Sequence, residues 1–223
     1  MGIMKVAIPS AGRSKTIKEK TLGLLEYYGV PKKDIFIFVA SDEYKEYKES
    51  LDTEYNVFCG YKGVNANRMN MAWSIKNTLT FNIDYILSLD DDITSINGLM
   101  NNNLQVTFLY ITGLMKKKNI GLCGIYPTPN EFFMKTATMT YDLRFCIGQM
   151  RIINCDEWCE YRHKDFQLIE DYNTTLRYYL KYGAVMRANW ISVNANYGTL
   201  KGGMNDGNYD RSLEMKEKEC RKF

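Results

Sequence analysis

Residues 84–93 read Asp-Tyr-Ile-Leu-Ser-Leu-Asp-Asp-Asp-Ile. Tyr85 to Leu89 is short, apolar and free of Gly and Pro, which fits a strand buried on both faces. It runs straight into Asp90, Asp91 and Asp92, three carboxylates that repel one another at neutral pH. Either they form a solvated acidic turn, or something positive compensates them. In an open α/β sheet, ligands bind just beyond the carboxyl ends of the strands, and carboxylates there suit a hard divalent cation that also holds a phosphate.

Working outward, strand-like and helix-like stretches alternate. Lys5 to Ile8 is a short apolar strand, followed by the loop Pro9-Ser10-Ala11-Gly12-Arg13 and a helix from about Thr16 to Tyr28 that stops at Gly29. Ile35 to Val39 is a second strand. Asp42 to Ser50 reads as a charged helix with Asp42 as its cap, and Tyr55 to Phe58 as a third strand. Gly63 to Thr78 reads as a loop and a helix with Met69, Ala72, Trp73 and Ile75 on its core face. Beyond the Asp cluster, Leu104 to Lys117 is amphipathic and Ile120 to Ile125 is again a strand. This alternation predicts βαβ units and a mostly parallel sheet.

The second half is less regular. Lys135 to Thr140 and Phe145 to Asn154 read as strands or an antiparallel hairpin. Asp165 to Tyr182 is a helix whose Phe166, Ile169, Tyr172, Leu176 and Tyr179 recur at intervals of three or four, with Gly183 as its stop. Gly198 to Asp210 is rich in Gly and Asn and reads as an active-site loop or as the approach to a tail. With no repeat and no clear linker, one domain is expected over 1–223, about 1–125 forming one half and 126–223 the other.

A formal charge of +3 is too small to mark a nucleic-acid binder, although Lys116-Lys117-Lys118 and Arg211 to Phe223 concentrate basic residues. No apolar run approaches the ~20 residues of a membrane span. Met1 to Pro9 is too short in apolar residues for a secretory leader and already reads as a strand, so a cytoplasmic protein with reduced thiols is expected. Cys155, Cys159 and His163 would share a helical face, but the spacing matches no usual zinc signature and lacks a fourth ligand.

Four clusters carry chemistry. In the first, Pro9, Ser10 and Gly12 allow a nucleotide to approach the backbone and Arg13 can pair with phosphate; no Gly-Lys-Ser/Thr follows, so this is not a P-loop. In the second, Gly63 to Asn70, Arg68 and Asn70 sit on the first turns of a helix, where Arg68 serves either an anion or a surface ion pair. The third is Asp90-Asp91-Asp92. The fourth is Glu170-Asp171, next to Ile169 and Tyr172 on the face expected to turn inward, where partial desolvation suits a general base.

In this order, the segments Ile-Pro-Ser-x-Gly-Arg, Gly-x-x-x-x-Arg-x-Asn, the strand into Asp-Asp-Asp-Ile and a late Glu-Asp-Tyr resemble nucleotide-sugar glycosyltransferases of the GT-A fold. More narrowly, they resemble the TET/JBP-associated glycosyltransferases, a largely phage and viral family linked to sugar addition on hydroxymethylated pyrimidines in DNA. The resemblance spans roughly Lys5 to Tyr209. It implies a Rossmann-like, mostly parallel sheet flanked by helices, with a nucleotide-sugar half and a smaller, partly antiparallel acceptor half. It also implies Mn²⁺ or Mg²⁺ held by Asp92, with Asp90 on the ribose or a metal-bound water and Asp91 in the same shell. Arg13 and Arg68 would then contact nucleotide or phosphate, Asp171 would be the catalytic base of an inverting transfer, and Glu170 its reserve. A UDP-sugar donor and hydroxymethylated DNA are the implied partners. Many GT-A enzymes use a late His as a metal ligand. Here the one His, His163, precedes the Glu-Asp pair, which leaves water, Asn205, Asp206 or no third protein ligand. Gly202-Gly203 to Asp210 would close over the donor, while Trp158 and Trp190 either stack on a ring or belong to the core. The same donor site serves glycan, lipid and protein acceptors, and an Asp cluster also serves nucleotidyltransferases and non-catalytic nucleotide-sugar modules.

Overall fold

The structure, a computed structural model, describes residues 4–62, 64–78, 83–130, 132–134, 138–155, 169–195 and 212–221, without the side chains of 64–66, 69, 70 and 73. The chain runs β1 (Val6–Pro9), a π-wound turn (Lys18–Leu22) continued by α1 (Gly23–Tyr27), β2 (Ile35–Val39), α2 (Tyr44–Ser50), β3 (Asn56–Cys59), α3 (Val64–Thr78) and β4 (Tyr85–Leu89). Then follow β5 (Ile93–Asn97), α4 (Leu104–Lys118), β6 (Leu122–Ile125), β7 (Met139–Asp142), β8 (Met150–Asn154), α5 (Glu170–Tyr182), β9 (Val185–Ala188), β10 (Ser192–Ala195) and α6 (Leu213–Cys220).

Eight strands form one sheet in the order β3-β2-β1-β4-β8-β6-β9-β7, and β10 pairs with β5 in a separate antiparallel ribbon. β3, β2, β1 and β4 are mutually parallel, as are β6 and β9, whereas β8 runs antiparallel to both β4 and β6. Every residue of β1, β2 and β4 is buried, as continuous apolar runs in a sheet covered on both faces should be. Alternation within those strands sorts the core into two layers. Ile8, Ile37, Leu87 and Leu89 pack with Leu25, Phe108, Ile111 and Met115 on one face. Ala7, Phe36, Phe38 and Ile86 pack with Met71, Ala72 and Ile75 of α3 on the other.

Of the two readings of 135–154, the structure shows separate strands and not a hairpin: β8 inserts antiparallel between β4 and β6, and β7 pairs antiparallel with β9 at the sheet edge. Two expectations need correction. Of the stripe expected to face inward on α5, Ile169 is buried and Tyr179 packs against the core, but Tyr172 is 59% exposed and stacked on Phe145, while Glu170, Asn173, Thr175 and Tyr178 are buried beside it; Phe166 lies outside the described residues. The polar groups go inward because guanidiniums wait for Glu170 there. Asp42 does not cap α2, whose N-cap is Glu43 without a side-chain bond; Asp42 lies 3.7 Å from Lys62. Among the unforeseen elements, β5, β9, β10 and α6 are short.

Candidate functional site

The sheet order reverses direction between β1 and β4, since β2 and β3 extend to one side of β1 and β4 lies on the other. A crevice opens at the carboxyl ends of strands where such a reversal occurs. The loop 10–14 leaves the end of β1 and the Asp cluster leaves the end of β4, so both reach this crevice. The turn after β4 is pinned through its backbone. Asp90 N–H donates to the Gln149 carbonyl at 2.9 Å, Thr21 Oγ1 donates to the Asp90 carbonyl at 2.8 Å, and Ile93 N–H donates to Thr21 Oγ1 at 2.9 Å.

The three carboxylates have different fates. Asp91 is buried and accepts from Ser10 Oγ at 2.6 Å and Arg13 Nη1 at 2.8 Å. Burial raises its carboxyl above the usual range despite Arg13 and Ser10, which pull it down. Asp90 forms an ion pair with Arg68. Asp92 lies 3.3 Å from Arg13 Nη1 and accepts from its own backbone N–H, yet burial followed by the charges of Asp90 and Asp91 pushes it up to about 6.

The loop that presents Ser10 and Arg13 is held by α2. The Tyr47 hydroxyl sits 2.7 Å from Ser10 Oγ and accepts the Arg13 N–H at 2.9 Å, while its burial pushes the phenol up to about 12. Gly12, with φ of 64°, turns its N–H to Glu43 Oε2 at 2.9 Å, a backbone region that disfavours side chains. Ser14 Oγ donates to Glu46 Oε1 at 2.5 Å. Sequence reasoning singled out none of Glu43, Glu46 and Tyr47. Their Glu-x-x-Glu-Tyr spacing puts them on one side of a short helix, which was the available signal.

Arg68 of α3 joins Asp90, at the end of β4, to the start of α5. Its guanidinium pairs with Asp90 and Glu170 and lies 3.5 Å from Asp171 Oδ1. Burial works against its charge, and Asp90 and Asp171 more than offset that. From below, the wholly buried Arg151 of β8 reaches Glu170 Oε2 at 3.2 Å and Asp171 Oδ1 at 3.9 Å. Burial and the neighbouring Arg68 lower its guanidinium to about 10, so it remains charged at neutral pH. Arg151 also escaped the sequence reading, because a lone Arg in Met-Arg-Ile-Ile-Asn looks like an outward-facing strand residue.

Glu170 and Asp171 are therefore unequal. The Glu170 side chain is 5% exposed between two guanidiniums, with Thr174 Oγ1 at 3.4 Å. The Asp171 side chain is 25% exposed, and its Oδ2 accepts the Gly148 N–H at 3.0 Å. A Cβ at Gly148 would lie 2.6 Å from Asp171 Oδ1 and against Arg68 Nη1, so only glycine allows this approach.

Arg13 and Arg68, expected on phosphate, both satisfy carboxylates here. Asn70 lies on α3 with its side chain outside the described set, and Pro9 ends β1. Trp158, Cys159, His163, Asn205, Asp206 and the stretch Gly198–Asp210 lie outside the described residues. Trp190 packs half-buried against the core, and Cys155 is buried directly after β8. Five carboxylates, those of Asp90, Asp91, Asp92, Glu170 and Asp171, face three guanidiniums, those of Arg13, Arg68 and Arg151. Among the described residues no three His, Cys, Asp or Glu side chains already converge as a metal cage. The excess of carboxylate oxygens, with Asp92 least committed, fits a hard cation by charge and donor type.

No family model matches the chain, and no curated protein does. Solved structures do. One is a mannosyltransferase from Pyrobaculum calidifontis in complex with GDP-mannose and Mn²⁺: TM-score 0.52, 11% identity, 81% of this chain and 52% of that one. Another is a putative glucose-1-phosphate thymidylyltransferase from Bacillus anthracis in complex with sucrose: TM-score 0.51, 9% identity, 82% of this chain and 85% of that one. The chain spans about half the length of the mannosyltransferase. At these identities the likeness shows the fold, an α/β architecture of GT-A type. No helix among the described residues is long and apolar enough to cross a membrane.

Proposed function

We propose that the chain is a metal-dependent glycosyltransferase that draws its sugar from a nucleoside diphosphate donor. The observation that carries this reading is the shared ion-pair network of Asp90, at the mouth of β4, and Asp171, at the start of α5, through Arg68. Such a network sets a donor-side carboxylate cluster and a solvent-reaching carboxylate within one crevice. Asp92 and Asp90 would hold Mg²⁺ or Mn²⁺, with Asp91 buttressing the turn. The ion would supply counter-charge to the diphosphate leaving group.

The residues of the chain do the rest. Asp171, more exposed than Glu170, takes the proton of the acceptor hydroxyl as that oxygen forms its bond to the anomeric carbon. The bond from that carbon to the diphosphate breaks on the opposite face, and its electron pair leaves with the diphosphate, giving inversion. Glu170 stays paired and fixes the helix start. Pro9, Ser10, Gly12, Arg13 and Arg68 would flank the donor, and Asn70 joins them by the sequence resemblance alone.

A UDP-sugar donor and a hydroxymethylated pyrimidine in DNA follow from the sequence resemblance, resting on the Pro-Ser-x-Gly-Arg and Arg-x-Asn segments. The basic run 116–118 does not add to this crevice: Lys116 pairs with Asp84, at the end of β4 opposite the Asp cluster, and Lys118 lies over the Tyr141 ring. A nucleotidyltransferase is the second reading, supported by the thymidylyltransferase likeness over most of that chain's length.

One experiment separates them. The protein, Mn²⁺, a panel of UDP-sugars and hydroxymethylated DNA are incubated, and the released nucleosides are weighed together with the nucleotide product. Added sugar with UDP release is expected, abolished in Asp171→Asn while donor binding survives. Pyrophosphate release in a parallel incubation with a nucleoside triphosphate and a sugar phosphate, without sugar transfer in the first, would overturn the reading.

A further inference from the structure

Helix α5 starts without local help. Its N-cap residue, Ile169, has no side-chain oxygen to offer to the exposed amides of the first turn. A Glu or Gln at the third helical position would reach back to the N-cap amide, but that position holds Tyr172, turned outward against Phe145 at a ring separation of 4.4 Å. The Ile169 N–H nevertheless has a partner. Glu219 Oε2 accepts it at 3.2 Å, in buried surroundings and from 50 residues further along the chain.

Glu219 is also how α6 holds on. Leu213 of that helix is 77% exposed, and Glu219 is the buried residue among α6's described positions. Among the described residues, the face that α6 turns inward carries the half-buried Met215 and, one turn on, the buried Glu219, so a carboxylate sits at the centre of its contact. That carboxylate meets the amide end of α5, where the helix dipole favours negative charge. The bond that a capping box would make within one helix is made here between two.

We propose that Glu219 is a positioning residue, which caps α5 from α6 and fixes the turn carrying Glu170 and Asp171. The catalytic half of this inference rests on the function proposed above; the contact itself does not. Asp171 is two residues from the capped amide and shares its helical turn. Loosening that turn displaces the Asp171 carboxylate from the Gly148 N–H, and a proton acceptor misplaced by about 1 Å loses up to a hundredfold in rate.

The test uses full-length Glu219→Ala and Glu219→Gln. Gln keeps an oxygen that accepts an N–H, whereas Ala does not. Hydrogen exchange at the Ile169 amide should accelerate about tenfold or more in Glu219→Ala and stay within about twofold in Glu219→Gln. Steady-state kinetics should show kcat down about tenfold in Glu219→Ala, an unchanged KM for the nucleotide-sugar, and recovery in Glu219→Gln. Unchanged exchange in Glu219→Ala, or equal damage in both variants, would overturn the proposal. A fall in KM-dependent binding in place of kcat would overturn the positioning of Asp171. An unaltered chain without sugar transfer would refute the proposed function and the catalytic half with it, while the exchange measurement still decides the contact.

Discussion

Replacing Asp92 with asparagine should make the metal-free chain more stable at neutral pH, although it removes the residue proposed to hold the metal. Burial, then Asp90 and Asp91, raise the Asp92 carboxyl from 3.8 to about 6, Arg13 offsetting only part of the rise. At about 1.4 kcal/mol per pH unit, keeping this group ionised costs at most roughly 3 kcal/mol. The amide still has to be desolvated, so the expected gain is about 2 kcal/mol, or about 4–8 °C in Tm for a chain of this size. The sign of the pH dependence follows from the raised value. Below about pH 4 the carboxyl is protonated folded and unfolded, and the variant gains nothing. Between about 4 and 6 the folded chain keeps a proton that the unfolded chain has lost, so stability falls as pH rises; above 6 the penalty is complete. Thermal melts of both proteins in chelator from pH 4 to 8 check this, with Mn²⁺ then lifting the unaltered chain more than the variant. No gain at pH 7.5, or an equal gain at pH 4, would refute the electrostatic account.

Three further outcomes are expected. Glu170→Gln leaves Arg68 and Arg151 short of a buried counter-charge and should cost about 3–5 kcal/mol in urea unfolding. Gly148→Ala forces its methyl against Asp171 and Arg68, so kcat should fall while the fold loses about 1–3 kcal/mol, read by kinetics and melts. Tyr47→Phe removes the hydroxyl shared by Ser10 and the Arg13 amide; a loss of about 1–2 kcal/mol and weaker nucleotide-sugar binding by calorimetry should follow.

The fold was legible where apolar runs were long enough to speak for themselves. Ile35–Val39 and Tyr85–Leu89 carry no polar interruption except Ser88, and the structure gives both strands the expected bounds. The second half resisted because its strands pair out of chain order: nothing in Met150–Asn154 says that it will slip between β4 and β6. α5 misled for a specific reason. Apolar spacing assigned Tyr172 to the core, but the interior beside it is already occupied by guanidiniums, so the acidic side of the helix turned inward. Within the site, acids clustered in sequence were easy to see. Arg151 and Tyr47 were not, since each looks ordinary until its buried partner arrives from another element.

The insertion of β8 also orders the assembly of the molecule during synthesis. β1 to β4 and the helices between them emerge within the first ninety or so residues, and their pairing partners are all within that segment, although α4 must follow to cover one face. The outer edge of β4 then stays open until residues 150–154 leave the ribosome, an unpaired apolar edge of the kind that recruits other chains. Arg68 and Asp90 are translated together, while Glu170 comes much later. The nascent chain therefore holds an incomplete charge cluster beside a sticky edge; β8 covers the edge, and the cluster is completed only when Glu170 of α5 reaches Arg68 and Arg151.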